Sequence, residues 1–403
     1  MNPTLYQWLT EGLTGASWTT WLISFALMAQ FTILSVTLYL HRCQAHRGVD
    51  LHPIVSHPMR LWLWLTTAMV TKEWVAIHRK HHARCETAED PHSPQVYGIN
   101  KVLFHGVVLY QQACRDQSIM DKYGAGTPND WVERRVYSRF PSLGPTVLLF
   151  AELAAFGVPG ISFWALQMLV IPICAAGMIN GMGHWWGYRN FETDDTSTNL
   201  TPWAALLGGE ELHNNHHAFP SSARFALRKF EFDIGWASLR LFETLGLAKV
   251  RRVAPQLDIR PNIPLPDADT LRAVMVHRFQ VMTDYFRGVI VPTLREEAAA
   301  AGDNLRRMPR RLRRALINGG RWLDNDAREK LGAFIAQRPQ LALAYEFRQR
   351  LRAIYDRTGA NSEAMLESLR QWCREAEASG NRALQEFAAR LKGYALVPAP
   401  IAA

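Results

Sequence analysis

Histidines recur at three places in this chain with the spacing of metal ligands, and that spacing limits its fold more than any other feature. His41 and His46 frame HRCQAH, His78, His81 and His82 stand in HRKHH, and His213, His216 and His217 stand in HNNHH. A fourth segment, NGMGH, adds Asn180 and His184. Histidines at i, i+3 and i+4 put three imidazoles on one face of a helix. Neutral imidazole is a good ligand for iron, zinc or copper. A solvated surface accounts for a lone histidine, but not for two HxxHH units beside HxxxxH.

The segments between the clusters alternate between apolar and polar. Ser17 to Leu40 contains no charged side chain, enough for a helix to cross about 30 Å of hydrocarbon. No Lys or Arg precedes Arg42, so the positive-inside rule puts the N-terminus outside and the first cluster at the cytoplasmic face. No basic stretch precedes this run, so it does not read as a signal peptide. Leu61 to Thr71 is apolar but short, and the segment 54–77 reads as a re-entrant or interfacial helix, since His46 and His78 must meet. Residues 83–142 read as a polar cytoplasmic excursion with loops at DPHSP (90–94) and GAGTPND (124–130). Leu143 to Met182 reads as a helical hairpin turning at Pro159-Gly160, and its second arm, Ile161 to Met182, returns His184 to the same face as the other clusters.

From about Asp233 the pattern becomes that of amphipathic helices. RRMPRRLRR (306–314) carries six arginines and reads as a solvated basic face, with contact to a membrane surface or nucleic acid as the alternative. The net charge of +9 fits basic cytoplasmic loops, and equally anionic lipid or phosphate-bearing substrates. The 14 tryptophans suit a bilayer interface. Five cysteines with no CxxC pairing argue against a zinc ribbon and a disulfide framework. Cys43 and Cys85 lie near histidine clusters and read as bystanders. The expected class is all-α: an integral membrane helical domain over 1–254 with a histidine-rich cytoplasmic metal site, and a helical cytoplasmic extension over 255–403.

Nine imidazoles exceed what one ion needs and suit two ions with open positions. Iron fits where oxygen must be activated, because zinc has no redox chemistry. Glu73, Glu86, Asp90, Glu210 and Glu211 lie near the clusters. They read either as acceptors of the second imidazole N–H, fixing ring tautomers, or as ordinary surface acids.

HRCQAH, HRKHH and HNNHH resemble the three histidine boxes of the membrane fatty acid desaturases. EWVAIHRKHHARCETAEDPHSP, NGMGHWWGYRNFE and GGEELHNNHHAFP are similar to the acyl-CoA branch, including bacterial Δ9-type enzymes, over roughly residues 18–250. The resemblance implies a non-haem centre of two iron ions that dehydrogenates an acyl chain with O2 and two external electrons, and no catalytic side chain beyond the metal centre. It implies that His41, His46, His78, His81, His82, His184, His213, His216 and His217 bind iron, and that Asn180 reaches one iron through a water. The implied substrate is acyl-CoA and the implied location is a bacterial inner membrane, in contact with membrane lipid. No HPGG-type cytochrome b5 motif occurs, so ferredoxin or a flavin and iron–sulfur reductase is the expected donor. A hydroxylase with the same centre, a desaturase of phospholipid-bound chains, and a metal sensor or transporter remain as other readings. LRQWCREAEASGNRALQEFAARL is similar to the end of some insertion-sequence transposases. No catalytic acidic triad accompanies it, so no nucleic-acid partner is expected.

Overall fold

The computed structural model describes residues 3–302, 310–318, 320, 323–356 and 361–397. They form two compact units, Met1–Arg189 with Asp195–Ala254, and Asn190–Asp194 with Pro255–Ala403. Both are predominantly helical. Residues 306–309 of the arginine-rich stretch lie outside the described residues.

In the first unit the uncharged N-terminal run forms the helix Trp18–Ser35, opened by Ser17, whose hydroxyl accepts the Thr20 N–H. It continues in wider, π-wound turns over Val36–Ala45, where the His46 N–H donates to the His41 carbonyl at 3.0 Å. Such turns insert a residue into the helix and re-aim its side chains, often at functional sites. The 28 residues Trp18–Ala45 and the 26 residues Pro159–His184 are long and apolar enough to cross a membrane. The helix Leu143–Phe156 is apolar but shorter.

Three expectations change in detail. The segment 54–77 is two helices, Pro53–Thr67 and Thr71–Arg84. Ala68 takes the left-handed conformation between them (φ +59°), which ends the first helix and lets the second carry its histidines in a new direction. The hairpin turns at Gly157 (φ +70°) rather than at Pro159-Gly160. Pro159 instead opens the helix Pro159–Ile171, where its fixed φ suits the first turn and its missing N–H costs nothing. The stretch 83–142 contains a 16-residue helix, Ile99–Cys114. Gly106 lets it approach Ala176 so closely that an added Cβ would lie 2.8 Å from the Ala176 Cβ.

The fold is also not purely helical. Val49–Leu51 pairs antiparallel with Ala248–Val250, and Trp203–Ala204 pairs parallel with Phe232–Asp233. In the second unit Gln256–Ile259 pairs antiparallel with Tyr394–Val397. Strands of two to four residues are too short to show a readable period-2 alternation.

The second unit packs amphipathic helices around buried Trp372, Tyr285, Phe286 and Phe387. Its aromatic polar tips are satisfied internally: the Tyr285 hydroxyl donates to the Ala344 carbonyl at 2.6 Å, and the Trp372 indole N–H to the Phe347 carbonyl at 2.9 Å. Buried aromatic groups of this type need such partners.

Candidate metal centre

All nine histidines singled out in the sequence come together in the first unit. His41 and His46 leave the π-wound end of the first apolar helix. His78, His81 and His82 lie on Thr71–Arg84, and His213, His216 and His217 on the short helix His213–Ala218. They separate into two sets. His41, His46, His78, His82 and His216 each offer a ligand atom within 4.8 Å of the others. His81, His184 and His217 do the same, joined by Cys85. The His213 Nε2 stands 3.0 Å from the His184 Nε2, which attaches it to the second set.

The rings are oriented from behind. Carboxylates only accept hydrogen bonds, so each ring nitrogen facing one carries the proton. The His41 Nδ1–H donates to Glu210 at 2.7 Å, His81 to Asp90 at 3.0 Å, His184 to Glu86 at 3.2 Å and His217 to Asp195 at 2.9 Å. The opposite Nε2 of each of these rings then presents a lone pair to the centre, the arrangement that orients metal-bound imidazoles.

Those lone pairs test whether the residues fit a metal. The Nε2 atoms of His46 and His78 lie 2.8 Å apart, those of His41 and His216 3.0 Å, and those of His216 and His82 2.8 Å. The His216 Nε2 faces two others at once, and one proton cannot satisfy both contacts. The His213 Nδ1, His216 Nδ1 and His217 Nε2 have no hydrogen-bond partner among the described residues. Burial, followed by neighbouring imidazoles, holds His46, His78, His82, His213 and His216 well below the usual histidine range. Burial also lowers His217 to about 4, against the opposing pull of Asp195. Burial opposes charge on His81 as well, but Asp90 outweighs it and raises the group. Converged imidazole nitrogens, most of them held neutral, are the donor set a divalent transition metal takes, with the metal displacing any proton left at His81.

Several partners depart from expectation. Glu86, Asp90 and Glu210 hold imidazoles, as one reading of the sequence had it, whereas among the described residues Glu73 and Glu211 show no such contact. Glu211 instead accepts the backbone N–H groups of Leu206, Leu207 and Gly209. Asp195 was not singled out, and only its position 22 residues before His217 in a polar loop hinted at a role. His92 was missed too: its ring stacks on His81 at 4.4 Å. Cys85, read as a bystander, lies within the second set, its Sγ 3.9 Å from the His81 Nε2. A further unforeseen contact is the fully buried pair Arg42–Asp233, at 2.9 Å, which ties the first cluster to the loop after the third.

A cavity of about 620 Å³ opens beside the centre, within the range of small-molecule sites. His41, His78, His213, Glu210 and Asn180 line one side, and Trp74, Ile77, Val107, Met168, Ile171, Ala175 and Ile179 give it apolar walls. Exposed Gln111 and Arg115 lie on its rim.

Apolar helices that end in converged imidazoles beside an apolar cavity form a donor set able to hold metal next to room for an apolar ligand. Comparison with known proteins narrows this. Residues 16–233 match the family model described as fatty acid desaturase. The chain is 33% identical over 237 residues to the Delta-9 desaturase-like 5 protein of Arabidopsis thaliana, covering 57% of this chain and 76% of that one. It is 32% identical to Delta-9 acyl-lipid desaturase 2 of the same plant (57% and 74% covered), and 31% identical to icosanoyl-CoA 5-desaturase of Limnanthes douglasii (58% and 65%). The chain belongs to the fatty acid desaturase family and is an oxidoreductase of lipid metabolism. Residues 268–396 match a second family model, described as transposase, a longer likeness than the segment 369–391 had given.

The Asp195 contact supports one expected result. With Asp195→Asn, His217 loses its anionic partner. Metal affinity falls about 10- to 100-fold, as for other groups behind metal ligands. Metal retention during chelator dialysis measures it, and unchanged retention contradicts the role.

Proposed function

We propose that this chain introduces a double bond into a saturated fatty acyl chain, most simply at the Δ9 position of an acyl-CoA, using two non-haem iron ions. The reading rests on one observation: two converged sets of buried and half-buried imidazoles stand beside an apolar cavity. In the net reaction the substrate loses two hydrogens, and O2 with two electrons and two protons becomes two waters. Ferredoxin or a flavin and iron–sulfur reductase supplies the electrons. The five-histidine set would hold one iron. His81, His184, His213 and His217 would hold the other, with Asn180 on the cavity side through a water. Bound iron supplies the oxidising power that breaks an unactivated C–H bond, which acid–base side chains lack.

The chain's own residues do the rest. Glu210, Asp90, Glu86 and Asp195 keep the proton on the outward nitrogen of His41, His81, His184 and His217. Trp74, Ile77 and Ile179 exclude water and line the space for the chain beside the centre. Arg115 on the rim offers a guanidinium to a phosphate-bearing head group. The two longest apolar helices seat the unit in a bacterial inner membrane, with the centre on the cytoplasmic side. We assign the transposase-like unit no part in the reaction.

The experiment is turnover of the purified protein with O2 and a reducing system, on saturated acyl-CoA and on phospholipid in separate reactions. A new double bond on the CoA ester is the expected result. Product on phospholipid alone moves the substrate to acyl lipid, and hydroxylated product overturns desaturation. A cavity wall gives a second expectation. Ala175→Phe fills part of the space, so the longest accepted chain shortens while the shorter ones are still converted; an unchanged chain-length profile contradicts Ala175 as a wall.

A further inference from the structure

The loop before the third histidine cluster has an inside-out character. Its side chains Trp203 and Leu206 are 70% and 75% exposed. Beside them, across the short strand pair, stand Phe230 and Phe232, also exposed. The backbone, by contrast, is turned inward. The buried Glu211 carboxylate accepts the N–H groups of Leu206, Leu207 and Gly209 at 3.0, 2.8 and 3.2 Å. The Ala205 N–H donates to the Trp203 carbonyl at 3.0 Å. The Arg42 guanidinium donates to the Gly208 carbonyl at 3.2 Å, and the Gln30 amide to the Ala205 carbonyl at 3.4 Å. A loop in water has no need of this, because water satisfies its amides. Partners from within lower the cost of bringing such a loop to a lipid interface, where an unpaired amide is expensive to desolvate.

The contact with Gln30 places the loop along an apolar helix. Gln30 and Ile33 belong to the apolar helix Trp18–Ala45, and Gly208 lies so close that an added Cβ would meet the Ile33 and Thr37 side chains. Gly208 and Gly209 both have positive φ (+73° and +100°), which lets the chain descend along that helix. The Ala205 carbonyl meets the helix at Gln30, while Gly208 meets it at Thr37 and Arg42, so from Gly208 back to Ala205 the loop runs along the helix away from His41. The apolar tip is therefore continuous with the surface of the candidate span.

We infer that residues 203–208 form a wedge that enters the lipid interface, with Trp203 and Leu206 in contact with lipid and Glu211 serving as its internal hydrogen-bond acceptor. Tryptophan suits that layer, since its ring is apolar and its N–H can reach the wet side. The inference rests on the membrane reading of the Trp18–Ala45 helix. The wedge also continues directly into Glu210, the partner of His41, so the seat in the lipid and the metal centre share one short segment.

The test places a nitroxide label on L206C, W203C and L27C, each measured against the unsubstituted protein treated alike, in phosphatidylcholine vesicles. Relaxation by O2 and by a water-soluble nickel chelate is compared. Stronger relaxation by O2 at all three positions is the expected result. An O2-dominated label at Leu27 with nickel-dominated labels at Leu206 and Trp203 overturns the wedge and leaves the span intact. Nickel-dominated labels at all three positions overturn the membrane reading, and the wedge with it.

Discussion

Replacing His216 with alanine removes product formation and unloads one metal, leaving the fold in place. The His216 Nε2 faces both the His41 Nε2 at 3.0 Å and the His82 Nε2 at 2.8 Å, so it stands where the five-histidine set is densest. Groups that merely orient ligands are worth about 10- to 100-fold, and loss of a ligand from the centre lowers turnover by more than about a hundredfold. Metal content falls towards one ion per chain. The apo fold tolerates the change, because removing one of several unpaired lone pairs relieves a crowded set. Circular dichroism and metal analysis on one preparation check this. Full activity with two bound metals in His216→Ala would show that the five-histidine set is not a metal site.

Asp233→Ala has the largest expected effect on stability. The Asp233 side chain is fully buried and holds the Arg42 guanidinium at 2.9 and 3.2 Å. It also accepts the Phe225 N–H at 2.8 Å and caps the helix Ile234–Thr244 through the Trp236 N–H at 2.9 Å. The Arg42 guanidinium lies 3.8 Å from the centre of the Phe225 ring. Removing the carboxylate leaves a buried cation unpaired, which costs about 3–5 kcal/mol. The double variant Arg42→Met with Asp233→Leu removes both charges and is less destabilised than the single one, since an apolar replacement of a buried pair is often close to neutral. Denaturant unfolding of both variants in detergent measures the difference. A single variant as stable as the parent protein contradicts the pairing.

What the sequence discloses depends on how local the interaction is. HxxHH spacing puts three rings on one helix face, so His78, His81 and His82 were legible as ligand candidates before any fold was known, although not that His81 would join a different set from His78 and His82. Asp90 lies 9 residues from His81 in the same segment and was legible for that reason. Asp195 reaches His217 from a separate polar loop, and Arg42 meets Asp233 across 191 residues. Pairings of that kind arise from tertiary packing and leave no periodic trace. Glu211 shows the opposite error: it adjoins Glu210 in sequence, yet its carboxylate turns to the loop backbone instead of a ring. The break at Ala68 was hidden because an alanine in the left-handed region is held there by its surroundings rather than by its own preference. The helix Ile99–Cys114 was obscured by the polar residues on either side of it, although its residues Gly106, Val107 and Tyr110 form a cavity wall.

The central claim is most directly tested by the fatty acid profile of a host expressing this chain, set against the same host expressing His213→Ala, with double bonds located by mass spectrometry. A new monounsaturated acid made only by the intact chain, with the bond at one position, is the result this account expects. Hydroxylated acids in its place, or the same new acid from both chains, would contradict it.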